Sequence, residues 1–547
     1  MLSHFLRKLR DTFGPSRVTH FVGGYHWHAT PAGEAVLPHI GGEFGLRIKE
    51  NLQRTVTRYF TPSGVIYAKV CRVNTPRAFV RELLRPAKAR LEFENAVELR
   101  RRGILTVEPL AWGSRRRWWP SESVVVTREV ANGMEFLRIV ERLPSTRGRI
   151  YLARGFAVCL ARLHNAGVDH PDPHPGNFLV DLVTMSFPVM DVHAVRFTNP
   201  LSWRESLAAL TLLNRYFQVR ASATDRLRFW CAYLAARPEL AVDWKAGALQ
   251  LEEATRRSNL KFWTARLTRH TADNRDSRRI RRGAYAGYAE RDLPSEFVEQ
   301  MLTDPDALFA APGTVILKDS RSSTVAALTV APLRAGGRDI VLKRFRVKTL
   351  LVRLKNAVRP TAALRSWTLG RNLIDRGLPT ARPLLVVERW RFGRPAEGYV
   401  AFEKLDDVAD LAEAVRGTDD RRVLHVWADK LGRLLRAMHD REVAHRDLKA
   451  PNVLLRGMSH PATAVPVLLD LVGVTVGRRV SVAVRRRDLA RLAVSFPPGT
   501  LSNGVRLRFL RAYLGRDRAA WKRWWRELAR LGAAKVARNG RHGRPLS

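Results

Sequence analysis

Five hundred and forty-seven residues at 62.0 kDa exceed one compact core, and a composition 46% hydrophobic and 27% charged excludes wholesale disorder. Ninety-five basic residues against 51 acidic ones leave a net charge of +44, with only 15 lysines among the cations. Such a charge favours a polyanionic partner, whether nucleic acid, acidic lipid head groups or a phosphorylated glycan. The widely spaced Cys71, Cys159 and Cys231 exclude a disulfide framework and a Cys-based zinc site, which points to a reducing, cytoplasmic setting. No apolar run reaches about eighteen residues, so no membrane span is expected.

In chain order, the N-terminal MLSHFLRKLRDTFG lacks the apolar region of a secretory signal. TVTRYFTPSGVIYAKVCRV alternates around Pro62–Gly64 and predicts a hairpin. RAFVRELLRPAKARLEFENAVELRRRG predicts a helix stopping at Gly103. SVVVTREV predicts a strand, IYLARGFAVCLARLHNAG a helix, and FLVDL with FPVMDV two short strands. The second half repeats this order, from TVAALTVAPLRAGGRDIVLKRF to VPVLLDL.

The repetition extends to residues. RRRGILTVEPL around Gly103 matches IDRGLPTARPL around Gly377, an offset of 377 − 103 = 274. LHNAGVDHPDPHPGNFLV matches MHDREVAHRDLKAPNVLL at 445 − 170 = 275, and YAKVCR matches VLKRFR at 343 − 69 = 274. One long offset held over three segments is a tandem duplication. The polar segment 278–297 is expected to join the copies. The expected domains are therefore 1–295, with its core at about 55–215, and 296–547 with a basic C-terminal tail.

Each copy carries H-x-D-x-x-x-x-N: His170, Asp172 and Asn177, then His445, Asp447 and Asn452. In that spacing the aspartate accepts a proton from an acceptor hydroxyl, and the asparagine faces back to hold a magnesium ion. Asp191 and Asp470, 19 and 23 residues after the loop aspartates, suit the second metal-binding carboxylate. Lys69 and Lys343, 103 and 104 residues upstream, suit the lysine that neutralises nucleotide phosphates. His174 and Lys449 share the position two past the base, where a cation stabilises a transferring phosphoryl group. His164 and His439 are expected to be structural. WKRWWREL at 521–528 and Trp118–Trp119 suit either core packing or an anionic interface.

This order of motifs resembles the bacterial lipopolysaccharide core kinases that phosphorylate heptose or Kdo, relatives of the protein-kinase-like phosphotransferases. The resemblance implies an α+β fold of two tandem kinase-like domains, each a small β-rich N-lobe on a helical C-lobe. It implies ATP and Mg2+ as cofactors and a sugar hydroxyl on an anionic glycolipid as acceptor, met by a cytoplasmic protein peripheral to the membrane. It also implies a helix glutamate pairing with the strand lysine. Glu92 fills that position in the first copy, whereas Ser366 stands there in the second. Neither copy has a clean G-x-G-x-x-G loop; the Ser-rich KDSRSSTVAAL offers the second copy a substitute phosphate nest. D-P-H-P-G-N keeps a small-molecule phosphotransferase of aminoglycoside or choline type in view, and H-R-D-L-K-A-P-N a protein Ser/Thr kinase. A tandem pseudokinase scaffold is the non-enzymatic alternative. No nucleic-acid-binding module accompanies the charge.

Overall fold

The computed structural model describes residues 18–41, 45–116, 120–142, 145–330, 338–346 and 359–541. The chain forms two compact units, Met1–Ser258 and Asn259–Ser547. In the first, a seven-stranded antiparallel sheet runs in the spatial order Val18–Val22, Tyr25–Ala29, Pro109–Arg116, Pro120–Arg128, Gly64–Arg72, Arg54–Thr61, Leu46–Asn51. The second repeats this topology with Ser277–Arg282, Tyr285–Glu290, Pro383–Arg391, Arg394–Glu403, Arg338–Arg346, Ser323–Val330 and Val315–Asp319. The segment 278–297 therefore does not join the copies. Its Tyr285–Glu290 strand pairs with Pro383–Arg391, and the units divide at Ser258/Asn259 rather than near 295. The alternation of small and aromatic residues in AYAGYAE is a strand signal hidden behind flanking arginines.

The expected hairpin forms between Arg54–Thr61 and Gly64–Arg72, where Gly64 closes the turn at φ 110°. Val56 faces Lys69 in this hairpin, and Val325 faces Lys343 in its counterpart, so the two lysines hold the same register. The single helix expected over 77–103 is two, Pro76–Leu84 and Lys88–Arg101. Pro86 disfavours helical backbone in the residue before it, and Arg85 is extended at φ −139°, ψ 152°.

Both central helices end alike. Gly103 at φ 72° lets Ile104 N–H donate to Leu99 O at 2.9 Å, and Gly377 at φ 63° lets Leu378 N–H donate to Leu373 O at 2.9 Å. In each case the flanking apolar pair is buried, which contributes roughly 2 kcal/mol per side chain. Duplication has kept the turn chemistry as well as the pattern.

Behind each sheet the chain becomes helical. Thr146–Asn165, Trp203–Phe217 and Ala223–Ala235 enclose Phe156, Leu160, Phe178, Trp230 and Tyr233. Arg421–Asp440, Val482–Ala493, Asn503–Leu514 and Trp521–Arg541 enclose Trp427, Leu435, Leu471, Tyr513 and Trp524. Trp521 and Trp525 pack against that second core, so the aromatic stripe of the last helix is packing surface. Trp118–Trp119 and the last six residues lie outside the described residues. No helix among the described residues is long and apolar enough to cross a membrane.

Candidate active sites in two clefts

In the first unit, strand Gly64–Arg72 carries Lys69 into contact with two carboxylates from distant elements. Its Nζ lies 2.6 Å from Glu92 Oε2 on helix Lys88–Arg101 and 2.8 Å from Asp191 Oδ1. Lys69 and Glu92 are 11% and 8% exposed at the side chain, so the pair is shielded from solvent. Burial disfavours the Lys69 charge, but Glu92, with Asp191 behind it, outweighs burial and raises the ammonium above its usual range. Burial likewise disfavours the Asp191 carboxylate. A hydrogen bond with His193 Nδ1 at 2.9 Å and the charge of Lys69 nevertheless hold it well below the usual carboxylate range. Arg54 reaches the other oxygen, with NH1 3.5 Å from Oδ2.

The loop that bears Asp172 is tied to this centre through its backbone. Asn177 Nδ2 donates to Asp172 O at 2.9 Å, and Met190 N–H donates to Asn177 O at 2.8 Å. Asp172 is exposed. His174 lies in contact with Tyr216, ring centroids 4.9 Å apart, and its Nδ1 accepts the Gly176 N–H at 3.1 Å. Burial lowers its pKa, so neutral His174 donates from Nε2 alone. Glu92, Asp191 and His193 present ligand atoms within 4.8 Å of one another, but Lys69 Nζ already bonds the first two. The side-chain oxygens of Asp191 and Asn177 are the hard donors that suit magnesium.

The second cleft repeats the frame with fewer charges. Lys343 Nζ is 3.2 Å from Asp470 Oδ1, and Asp470 is 42% exposed at the side chain. Ser366 is buried and turns its hydroxyl back to donate to Ala362 O at 2.8 Å. Among the described residues, the ion pair of Lys343 is with Asp470. Asn452 Nδ2 donates to Asp447 O at 2.8 Å and to Asp447 Oδ2 at 3.2 Å, and Lys449 Nζ lies 3.8 Å from that same oxygen. Leu469 N–H donates to Asn452 O at 2.8 Å, matching Met190 and Asn177. In the Ser-rich turn, Ser320 N–H donates to Ser323 O at 3.0 Å and Ser323 N–H to Ser320 Oγ at 3.2 Å. Two donors of the expected phosphate nest are thus engaged within the turn.

Asp191 and Asp470 both sit in the left-handed region, at φ 55° and 48°, which is uncommon for a side chain other than glycine. The loop histidines are buried behind them. His170 Nδ1 accepts the Asp172 N–H at 3.2 Å, and His445 Nε2 bonds Leu469 O at 3.0 Å. His164 and His439 each bond a tyrosine hydroxyl through Nδ1, Tyr233 at 2.7 Å and Tyr513 at 2.8 Å, so neither faces the cleft chemistry.

Strand lysine, H-x-D loop, asparagine and left-handed aspartate, hung between a β-rich and a helical lobe, define the kinase-like class. The family model for lipopolysaccharide kinases (Kdo/WaaP) matches residues 66–233 and 329–513, one segment in each unit, and the chain belongs to that family. The 3-deoxy-D-manno-octulosonic acid kinase of Xylella fastidiosa (strain 9a5c) is 35% identical over 95 residues, 17% of this chain and 36% of that kinase. The enzyme of the same name from Haemophilus influenzae (strain PittEE) is 26% identical over 102 residues, 18% of this chain and 41% of that kinase. The chain thus matches well under half the length of these curated relatives. Among solved structures, WaaP in complex with acyl carrier protein shares 23% identity, covering 41% of this chain and 90% of that one, with a TM-score of 0.30.

Two contributors escaped the sequence reading. Arg54 could have been found from its register two residues before Val56, the partner of Lys69. Asp488 is wholly buried and accepts the His445 N–H at 2.9 Å, but in RRRDLARL it is masked by arginines.

Proposed function

We propose that the chain transfers the γ-phosphoryl group of ATP to a sugar hydroxyl of lipopolysaccharide core, heptose or Kdo, or of a related glycoconjugate. The observation that carries this reading is Lys69 held between Glu92 and Asp191 beside an exposed loop aspartate. Asp172 accepts the acceptor's proton as its oxygen attacks the phosphorus, and the bond to the ADP oxygen breaks. Asp447 serves in the second cleft wherever that cleft turns over. Lys69, oriented by Glu92, and Lys343 neutralise the nucleotide phosphates. His174 donates from Nε2, and Lys449 as a full cation, towards the transferring group. Asn177 with Asp191, and Asn452 with Asp470, would hold Mg2+, which neutralises phosphate charge when bound. The remaining work is positioning in a site shielded from water. The net charge of +44 suits an anionic glycolipid met peripherally at the inner face of the cytoplasmic membrane. One of the two copies working alone is consistent with Ser366 standing where the second cleft lacks its glutamate.

The test is ATP turnover by the full chain on purified lipopolysaccharide, beside Asp172→Asn and Asp447→Asn. Removing the base of the working copy is expected to lower kcat by about 10²–10⁴. Turnover on soluble aminoglycosides or choline, with none on lipopolysaccharide, would overturn the acceptor assignment. No turnover on any acceptor would favour the scaffold.

A further inference from the structure

We infer that Arg54 is a nucleotide-phosphate ligand of the first cleft, standing in for the missing glycine-rich loop, and that the second cleft has no equivalent at that register among the described residues. The inference rests on the phosphotransfer reading above and adds a binding residue to it.

The argument begins with register. Arg54 faces Cys71 and Val56 faces Lys69 across one antiparallel pair, so side chains at 54 and 56 lie on the same face as Lys69. Arg54 therefore stands one step along the strand from the phosphate-binding lysine, next to the turn that closes the first hairpin. In a kinase-like lobe that turn cradles phosphates with backbone N–H groups, which requires glycine for close approach. Here the turn is Asn51-Leu52-Gln53-Arg54, without glycine, and its Gln53 carbonyl is held by the Arg72 N–H at 2.9 Å. The turn lacks the glycines that close backbone approach requires, and a guanidinium stands beside it.

The position of the head group supports this role. Arg54 NH1 lies 3.5 Å from Asp191 Oδ2, and its side chain is 33% exposed, compared with 11% for Lys69. Lys69 is the enclosed cation, and Arg54 is the one at the mouth. Asp191 thus carries a cation on each oxygen, Lys69 on Oδ1 and Arg54 on Oδ2. A guanidinium presents its donors in a planar fork whose geometry matches carboxylate and phosphate oxygens alike.

The other copy supplies an internal control. Val325 faces Lys343 and Ser323 faces Phe345, so Ser323 occupies the register of Arg54. Its N–H is engaged with Ser320 Oγ at 3.2 Å, and the nearby Arg346 is turned to Asp319 Oδ1 at 3.0 Å and Ser320 O at 2.6 Å.

Nucleotide binding can be measured without metal, by equilibrium dialysis of ATP, ADP and adenosine against the full chain carrying Lys343→Ala to weaken the second cleft. Arg54→Ala is expected to weaken ATP about tenfold or more and ADP by less, with adenosine unchanged, and Arg54→Lys to recover part of the loss. The loss should persist with Asp191→Asn, where the ion pair is already gone. Thermal melting of each variant separates binding from folding. Arg54→Ala matching its parent for ATP, or losing its effect beside Asp191→Asn, overturns the assignment and leaves the phosphotransfer reading standing. An unsubstituted chain that binds no nucleotide with or without Mg2+ overturns that reading, and this inference with it.

Discussion

The two clefts share a backbone and differ in charge. Both have a Gly-terminated helix, a left-handed aspartate and an asparagine amide returned to the carbonyl of the loop aspartate. Lys69 is enclosed by two carboxylates, whereas Lys343, among the described residues, pairs with the half-open Asp470. The shared features are local, since each joins residues close in sequence or in one turn. The lysine–glutamate pair joins distant elements and carries a desolvation cost, so its loss can be made good on the spot. Ser366 does this by bonding its own helix, leaving no buried hydroxyl unpaired. A duplicated kinase-like lobe can therefore keep its frame while its charge arrangement drifts.

The largest effect expected from probing this contrast lies under the second loop. Asp488 accepts the His445 N–H, pairs with Arg491 NH1 at 2.8 Å and lies 3.5 Å from His439 Nε2. In the first unit the corresponding histidine–tyrosine pair is met by an arginine, with Arg237 NH1 3.1 Å from Tyr233 Oη and 2.8 Å from Ser206 Oγ. Asp488→Ala should cost the second unit about 3–5 kcal/mol by leaving a buried N–H and a guanidinium unpaired. Hydrogen exchange resolved by segment should show loss of protection around 443–456, with the first unit unchanged. Equal loss in both units would mean that the loops are not separately supported.

A smaller change should follow at the lysines. Glu92→Gln removes the charge that orients Lys69 and is expected to lower kcat/KM for ATP in the first cleft by about 10–100-fold, the loss of one charged hydrogen bond. Ser366→Ala removes only a hydroxyl bonded to its own helix, so kinetics in the second cleft should stay within about twofold. Comparable losses in the two variants would erase the distinction between the clefts.

How far these features could be read from sequence depends on whether one element holds them. The loops with Asp172 and Asp447 need only a histidine, an aspartate and an asparagine at fixed short spacing, so pattern sufficed. Lys69 comes from its place at a strand end upstream of the loop and Glu92 from the family resemblance, and the two side chains meet at 2.6 Å. The strand Tyr285–Glu290 was lost because flanking arginines blurred its alternation, and with it the division at Ser258/Asn259. The break at Arg85 was legible in Pro86 and was overridden by apolar periodicity on both sides. Arg54 is legible only through its cross-strand register beside Lys69, and Asp488 has no such signal. Each matters because of a cross-strand or helix-to-loop contact, and a chain with 80 arginines gives no local reason to single one out.

The same contrast reaches the buried histidines, where the smallest effect is expected. His164 lies against Arg237, and burial with that neighbouring cation pushes its pKa from the ordinary 6.5 down to about 3. His439 is also lowered by burial, but Asp488 opposes the shift. Between the folded and unfolded values of His164, the unfolded chain binds more protons, so stability is complete above about pH 6.5 and falls as pH drops. His164 alone should remove about 1 kcal/mol between about pH 6.5 and pH 5.5, and His439 should remove less. Followed by segment-resolved hydrogen exchange on mild acidification, the helix Thr146–Asn165 should loosen before Arg421–Asp440 does. Arg237→Met in the first unit should narrow the gap, because the opposing charge goes while the burial stays. If the second unit loosened first, the sign of the neighbouring charge would not be what separates the two helices.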